Sequence, residues 1–333
     1  MFLLQTYSQA VIFTIITMFC WGSWANTQKL AKKDWRFELF YWDYTIGVLL
    51  LSLILGLTLG SHGSEGRPFL ADLEQASRSS VLSALLGGAI FNAANILLVA
   101  AIDIAGMAVA FPVGIGLALV LGVAGNYLEH PVGNVPLLGG GVLLVVLAIV
   151  LDALAYRKIP GPAAGVSTKG LVLSVACGLL MGFFYRFVAA AMFPDFTRPE
   201  PGKVGPYAAV FIFAVGIFVS NLLLNSLVMK KPFRGEPVTY AEYFHGGFGT
   251  HLTGILGGII WGVGMSFNII ASGRAGFAIS YGLGQGATMV AAFWGVFIWR
   301  EFRTAPSGTS RLIAAMFICF LVGLSLIIFA RTS

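Results

Sequence analysis

The sequence predicts an all-α integral membrane protein of ten transmembrane helices, arranged as two inverted five-helix repeats. Three observations carry this. Of 333 residues, 58% are hydrophobic and 10% charged, against about 25% charged in soluble domains. The apolar residues fall into ten runs long enough to cross a bilayer, which takes roughly 20 residues as helix. One stretch is also written twice. At a constant offset of 170, Gly87-Gly88 falls on Gly257-Gly258, Ala105-Gly106 on Ala275-Gly276, Gly114 and Gly116 on Gly284 and Gly286, and Gly125 on Gly295. Backbone polar groups in lipid must be satisfied within the spanning structure, and uninterrupted apolar runs exclude the period-two alternation of a barrel strand.

The segments run from about 8 to 28, 41 to 60, 81 to 103, 105 to 128, 134 to 156, 168 to 191, 206 to 229, 248 to 272, 275 to 299 and 309 to 331. The first has no basic stretch before it, and Met18 to Trp24 offers no small-x-small cleavage site, so it reads as a retained helix. The third and fourth join through a turn at Ile102 to Gly106, and the eighth and ninth through its counterpart at Ser272 to Gly276. A unit with an odd number of spans inserts in opposite senses in its two copies. Residues 1–160 and 161–333 are therefore predicted to be inverted repeats within one transporter domain. Pro112 removes a backbone donor from the fourth segment and is predicted to kink it. Its counterpart is Gly282, and paired interruptions in two halves point to a transporter's binding site.

The loops after segments one, five, seven and nine hold thirteen cations: Lys29, Lys32, Lys33, Arg36, Arg157, Lys158, Lys169, Lys230, Lys231, Arg234, Arg300, Arg303 and Arg311. The other side holds six, namely Arg67, Arg78, Arg198, Lys203, Arg274 and Arg331. The positive-inside tendency makes the first set cytoplasmic and both termini extracytoplasmic. The formal charge of +6 has the same origin and calls for no nucleic-acid partner. Three long connectors, His62 to Ser80, Pro194 to Pro206 and Lys231 to Gly247, read as solvated loops, the first alternatively as a small extracellular cap.

Enzyme chemistry finds no support. There is no H-E-x-x-H, G-x-S-x-G or Cys-x-x-Cys, and Cys20, Cys177 and Cys319 each sit alone in an apolar run. Gly161 to Gly170 lacks the spacing that wraps a phosphate. His245 and His251 are six apart, on different faces of a helix, and are expected at the membrane interface and not as a metal pair. No cofactor or metal is expected.

Polar residues inside spans carry more information, because each costs free energy in lipid and faces the bundle interior or a wet cavity. The first segment presents Trp21, Trp24 and Gln28 on one face, the third Asn92 and Asn95, the eighth Trp261 and Asn268, and the ninth Tyr281, Gln285 and Thr288. Converging at the midplane, these faces would make a pocket of aromatic walls and amides suited to a flat, neutral, polar solute. Tyr185 and Arg186 lie inside the sixth segment, and an arginine there must find a carboxylate, carbonyls, water or a ligand oxygen. Asp43 stands near the start of the second, as a helix-start acid favoured by the dipole or as a proton-coupling carboxylate. Glu129 and Glu301 end the fourth and ninth segments and read as structural ion-pair partners.

Ten helices as five plus five, with Gly106-Met107-Ala108-Val109-Ala110-Phe111-Pro112 opening the fourth, resemble the drug/metabolite transporter superfamily. Gly22-Ser23-Trp24, Tyr41-Trp42-Asp43-Tyr44-Thr45, Gly87-Gly88 with Asn95, Gly125-Asn126-Tyr127, Phe293-Trp294-Gly295-Val296 and Glu301-Phe302-Arg303, in this order, narrow the resemblance to the ureide permease family. The resemblance implies proton-coupled uptake of allantoin and related heterocycles such as uracil, and related branches carry glucose, ribose or rhamnose. It also implies a long central cytoplasmic loop with a nucleotide-binding-like motif, which Arg157 to Ser167 is too short to supply. The expected partners are thus a small neutral ring compound, a proton and the bilayer. Monosaccharide uptake is the alternative within transport, and a non-transporting receptor or scaffold the alternative outside it.

Overall fold

The structure, a computed structural model, describes residues 1–32, 34–159 and 167–332, with 107 and 108 as backbone only. Lys33 and 160–166, where the predicted repeat boundary and most of the 161–170 loop fall, lie outside the described residues. Among the described residues, ten helices are long and apolar enough to cross a membrane, and they make up most of the architecture. They are α1 (Tyr7–Leu30), α2 (Phe37–Leu57), α3 (Arg78–Ala105), α4 (Phe111–Glu129), α5 (Val135–Tyr156), α6 (Thr168–Ala191), α7 (Pro206–Lys230), α8 (Phe248–Ala275), α9 (Phe277–Ile298) and α10 (Thr309–Phe329). Local chemistry sets several ends. Thr6 forms a capping box with Gln9, and Ser77, Asn134 and Ser167 accept backbone N–H groups at the starts of α3, α5 and α6. Helix α2 begins at Phe37, four residues before its apolar run, so Asp43 is well inside the helix and is not a helix-start acid.

The duplication is visible in the backbone. Helices α3 and α8 each have 28 residues, start and end at the same offset of 170, and are closed by Gly106 (φ 76°) and Gly276 (φ 87°), a conformation only glycine adopts readily. Their packing matches too. A Cβ on Gly88 would come within 2.1 Å of the Phe213 carbonyl oxygen of α7, and one on Gly258 within 2.0 Å of the Tyr44 carbonyl oxygen of α2. Reciprocally, Gly216 meets the Leu85 carbonyl oxygen at 2.3 Å and Gly47 that of Ile255 at 2.3 Å. Helix α3 thus lies on α7 and α8 on α2, with glycines letting the backbones touch.

Helices α4 and α9 are both irregular. In α4 the turn Phe111–Ile115 is π-helical and contains Pro112, so the missing donor is absorbed by a widened turn. Helix α9 breaks at Gln285 and Gly286, one turn beyond Gly282, between Phe277–Gly284 and Ala287–Phe293.

One end of the bundle is sealed. The His62–Ser80 and Pro194–Pro206 connectors are largely exposed, as solvated loops are, but each also turns side chains inward to make a cap. Phe69 of the short helix Phe69–Gln75, Phe193, Phe196 and Val204 are all buried, together with Met1, Leu3 and Leu4. Asp72 braces this cap by accepting from the Gly205 N–H (2.5 Å) and from Arg67 (3.0 Å), and the Met1 ammonium donates to the Glu65 carbonyl (2.7 Å). The hydrophobic residues of these connectors have a covered face available, and the few polar groups that follow them in are paired.

Candidate functional site

Opposite the sealed end, a cavity of about 330 Å³ enters the bundle between α1, α3, α4, α6, α8 and α9. Helix α1 contributes Trp21, Trp24 and Gln28; α3 contributes Phe91 and Asn95; α8 contributes Trp261; α9 contributes Gln285 and Thr288. Phe111 and Ile115 of the π-helical turn, Met181 and Phe184 of α6, and Phe37 complete most of the wall. Among the described residues, none that lines it is charged. It shares Gln28, Phe37 and Val99 with a neighbouring space of about 470 Å³, edged by Arg36, Glu38, Asp103 and Arg234, which lies at its mouth.

Aromatic packing fixes the walls. The Trp21 indole is wedged between two glycines, since Cβ atoms on Gly264 and Gly284 would lie 2.7 and 2.8 Å from it. It stacks on Trp261 (centroids 6.0 Å, 14° between planes), which in turn packs on Phe91 at 4.5 Å. Trp24 lies 4.7 Å from Tyr44. Between these faces sit amides with spare capacity. Asn95 donates to the Tyr41 hydroxyl (3.2 Å), leaving its carbonyl oxygen without a protein partner. Among the described residues the Gln28 and Gln285 side chains make no hydrogen bond, and the Thr288 hydroxyl donates to the Gln285 carbonyl (2.9 Å). Flat apolar faces with a few unengaged amides suit a planar neutral molecule bearing C=O and N–H groups.

The other residues singled out from the sequence lie elsewhere. Asn92, fully buried, donates to the Ser220 hydroxyl at 2.9 Å and ties α3 to α7. Asn268 donates to the Ser280 carbonyl (2.7 Å), Tyr185 meets the Ser280 hydroxyl (3.2 Å), and Tyr281 donates to the Met181 carbonyl (3.0 Å), so these three form a packed floor outside the lining. Arg186 turns outward. Its side chain is 53% exposed and bonds Glu129 at 2.9 Å, because α4 and α6 end on the same side and bring the two within reach. Glu301 accepts from the Tyr156 hydroxyl (2.7 Å) and lies 3.8 Å from Lys29.

A family model for ureide permeases matches residues 40–159 and 164–330. The chain belongs to the ureide permease family. It is similar to "Ureide permease 1" of Arabidopsis thaliana, 21% identical over 383 residues and covering 98% of both chains, and to "Ureide permease 2" of the same plant, 22% identical over 96% of both. "Probable ureide permease A3" of Vigna unguiculata is 22% identical over 92% of this chain and 99% of its own. A solved crystal structure superimposes with a TM-score of 0.62 over 98% of both chains at 15% identity, a likeness of fold alone. This family member is therefore an integral membrane transporter.

The transporter has a second polar cluster that sequence reasoning resolved only in part. Asp43, 2% exposed, accepts from the Tyr243 hydroxyl at 2.7 Å and is bonded to His251 Nδ1 at 2.9 and 3.0 Å. Gly254 makes the approach possible, since a Cβ there would lie 2.5 Å from that of Asp43. His251, expected as an interfacial residue, faces inward under the edge of Trp35, 5.4 Å away. His245 bonds only the Ala241 carbonyl of its own short helix, Tyr240–Phe244. The Tyr243 hydroxyl is held above the ordinary tyrosine range, first by burial and then by the Asp43 carboxylate. One signal was present in the sequence: an acid in an apolar span requires a partner, and His251 opens another span. Phe91, Phe111, Phe184 and Met181 also line the cavity, but as apolar residues of apolar spans nothing in the sequence marks them for it, although Phe91 is the counterpart of Trp261 at offset 170.

Proposed function

We propose that this protein is a proton-coupled secondary transporter importing a small neutral ring compound of the ureide or nucleobase kind, by alternating access of two inverted five-helix units, 1–160 and 161–333. The observation that carries the reading is the uncharged cavity of stacked aromatics and free amides, open at one end and sealed at the other. The names of its relatives agree with a ureide solute. Inversion is supported by the reciprocal glycine crossings, which exchange α2 with α7 and α3 with α8. The mouth is edged by Arg36 and Arg234, on the lysine- and arginine-rich side, so the cavity faces the cytoplasm and both termini lie outside.

Asp43 is the carboxylate assigned to coupling, being buried and joined to a histidine. The test is uptake into proteoliposomes under an imposed pH gradient, with radiolabelled allantoin, uracil and a monosaccharide panel. Accumulation of allantoin or uracil that collapses with the gradient is expected, and none with any solute refutes the reading. Aromatic platforms beside amides also accommodate a pyranose, so accumulation of a sugar that uracil does not compete would replace the substrate class. Asp43→Asn is expected to abolish gradient-driven accumulation while counterflow exchange stays within about twofold of wild type, since only the proton-dependent step is lost.

A further inference from the structure

The coupling reading names one residue, Asp43, but the geometry around it describes a three-part unit drawn from separate elements. Asp43 comes from α2, His251 from the first turn of α8, and Tyr243 from the short helix Tyr240–Phe244 in the connector before α8. Both carboxylate oxygens are engaged, Oδ1 by Tyr243 and by His251, and Oδ2 by His251. The side-chain exposures are 3% for Asp43 and 21% for His251, so the imidazole is the partner that water reaches. Its Nε2 points toward Gly246, where a Cβ would stand 2.6 Å away. Gly246 in turn lines a pocket of about 500 Å³ between the loop after α1 and the connector.

We propose that Asp43 and His251 bind the transported proton together as one unit, with His251 Nε2 as its entry and exit. This deepens the coupling assignment above and rests on it. With Nδ1–H donating to the carboxylate, the unit carries one negative charge when Nε2 is bare. Protonation of Nε2 turns it into a neutral imidazolium–carboxylate pair. The proton is taken from, and returned to, water in the loop pocket, and no other bond changes. Closing the bundle over an unpaired buried charge is costly, whereas a neutral, hydrogen-bonded pair is tolerated. The loaded unit can therefore be occluded and the empty one resists it, which is the requirement for coupling.

Helix α2 carries the consequence to the cavity. One residue from Asp43, Tyr44 packs on Trp24, and two residues away Tyr41 accepts from Asn95, both cavity-lining partners. The groups facing the unit from the elements around it are Tyr243 and, from the first loop, Trp35. The charged residues of the adjoining pocket are Lys32, Asp34, Arg36, Glu236 and Glu242, with His245 as its further titratable group. Arg36 is held on Glu38.

Two measurements test this. The chain has four histidines, so an imidazole NMR spectrum of the purified protein resolves them, and the resonance lost in His251→Gln identifies His251. Its ring N–H signal, held by the carboxylate, should be lost in Asp43→Asn and kept in Tyr243→Phe, where the carboxylate still has the histidine as partner. A His251 ring signal indifferent to Asp43→Asn overturns the unit. In proteoliposomes carrying radiolabelled allantoin or uracil, His251→Gln should lose driven accumulation as completely as Asp43→Asn, retain counterflow, and add nothing in the double variant. Driven uptake surviving in His251→Gln but not in Asp43→Asn overturns this inference and leaves the coupling assignment standing. Survival in both removes the two together. If the wild type carries neither solute, the substrate reading falls and the ring N–H signal alone decides the pair.

Discussion

Trp21 shows how a single side chain is placed by what its neighbours lack. Its indole fits because positions 264 and 284 have no Cβ, so Gly284→Ala is expected to displace the ring and weaken solute binding about tenfold or more, with overpacking costing roughly 1–3 kcal/mol of stability. Thermal unfolding and counterflow KM measured on one preparation check both. Gln285→Ala removes an amide free to engage solute and should raise KM by about tenfold at nearly unchanged stability, the worth of one hydrogen bond to a desolvated partner. Arg186→Ala, by contrast, should leave affinity at the wild-type value. Its exposed pair with Glu129 is worth at most about 1 kcal/mol. At this scale the sequence was partly legible. It placed Trp21, Trp24, Gln28, Asn95, Trp261, Gln285 and Thr288 on faces that do converge on the cavity. It could not separate Asn95 from Asn92, because residues three apart on a helix point about 60° apart, and here α7 takes up one of them through Ser220.

Helix pairs carry the duplication. Gly88 and Gly258 occupy equivalent crossings, so Gly88→Val and Gly258→Val should destabilise by similar amounts, each by several kcal/mol because the obstacle is backbone and cannot repack. Unequal losses in a thermal or denaturant comparison would argue against equivalent crossings. The connectors follow a different rule. Asp72→Ala removes acceptors from the Gly205 N–H and from Arg67 inside a buried cap, and is expected to cost about 1–3 kcal/mol and to speed hydrogen exchange in 68–76. The sequence of these connectors reads as solvated loops, with a cap as the alternative for the first, and does not say which side chains turn inward. Loop composition records turn chemistry, whereas burial depends on whether apolar side chains such as Phe69 and Phe196 find a surface to cover, and that surface belongs to distant helices.

For the whole molecule, the open mouth and sealed cap predict one-sided access. In a variant with the three native cysteines replaced, Val99→Cys should react with a membrane-impermeant thiol reagent from the lysine- and arginine-rich side only, and transported solute should protect it. Labelling from the opposite side would contradict the seal. The sequence by itself determined ten spans, their duplication and the class of side chain available for binding. Those properties are written in hydrophobicity and spacing, which the bilayer imposes locally on each segment. Only the tertiary structure decided which face of each helix meets the cavity, that Arg186 turns out to Glu129, and that Asp43 finds His251 and Tyr243. These pairings join residues 57, 208 and 200 positions apart. They depend on how close two helices can pass, which is set by glycines such as Gly254 and Gly258 whose role appears only when the partner backbone is in place.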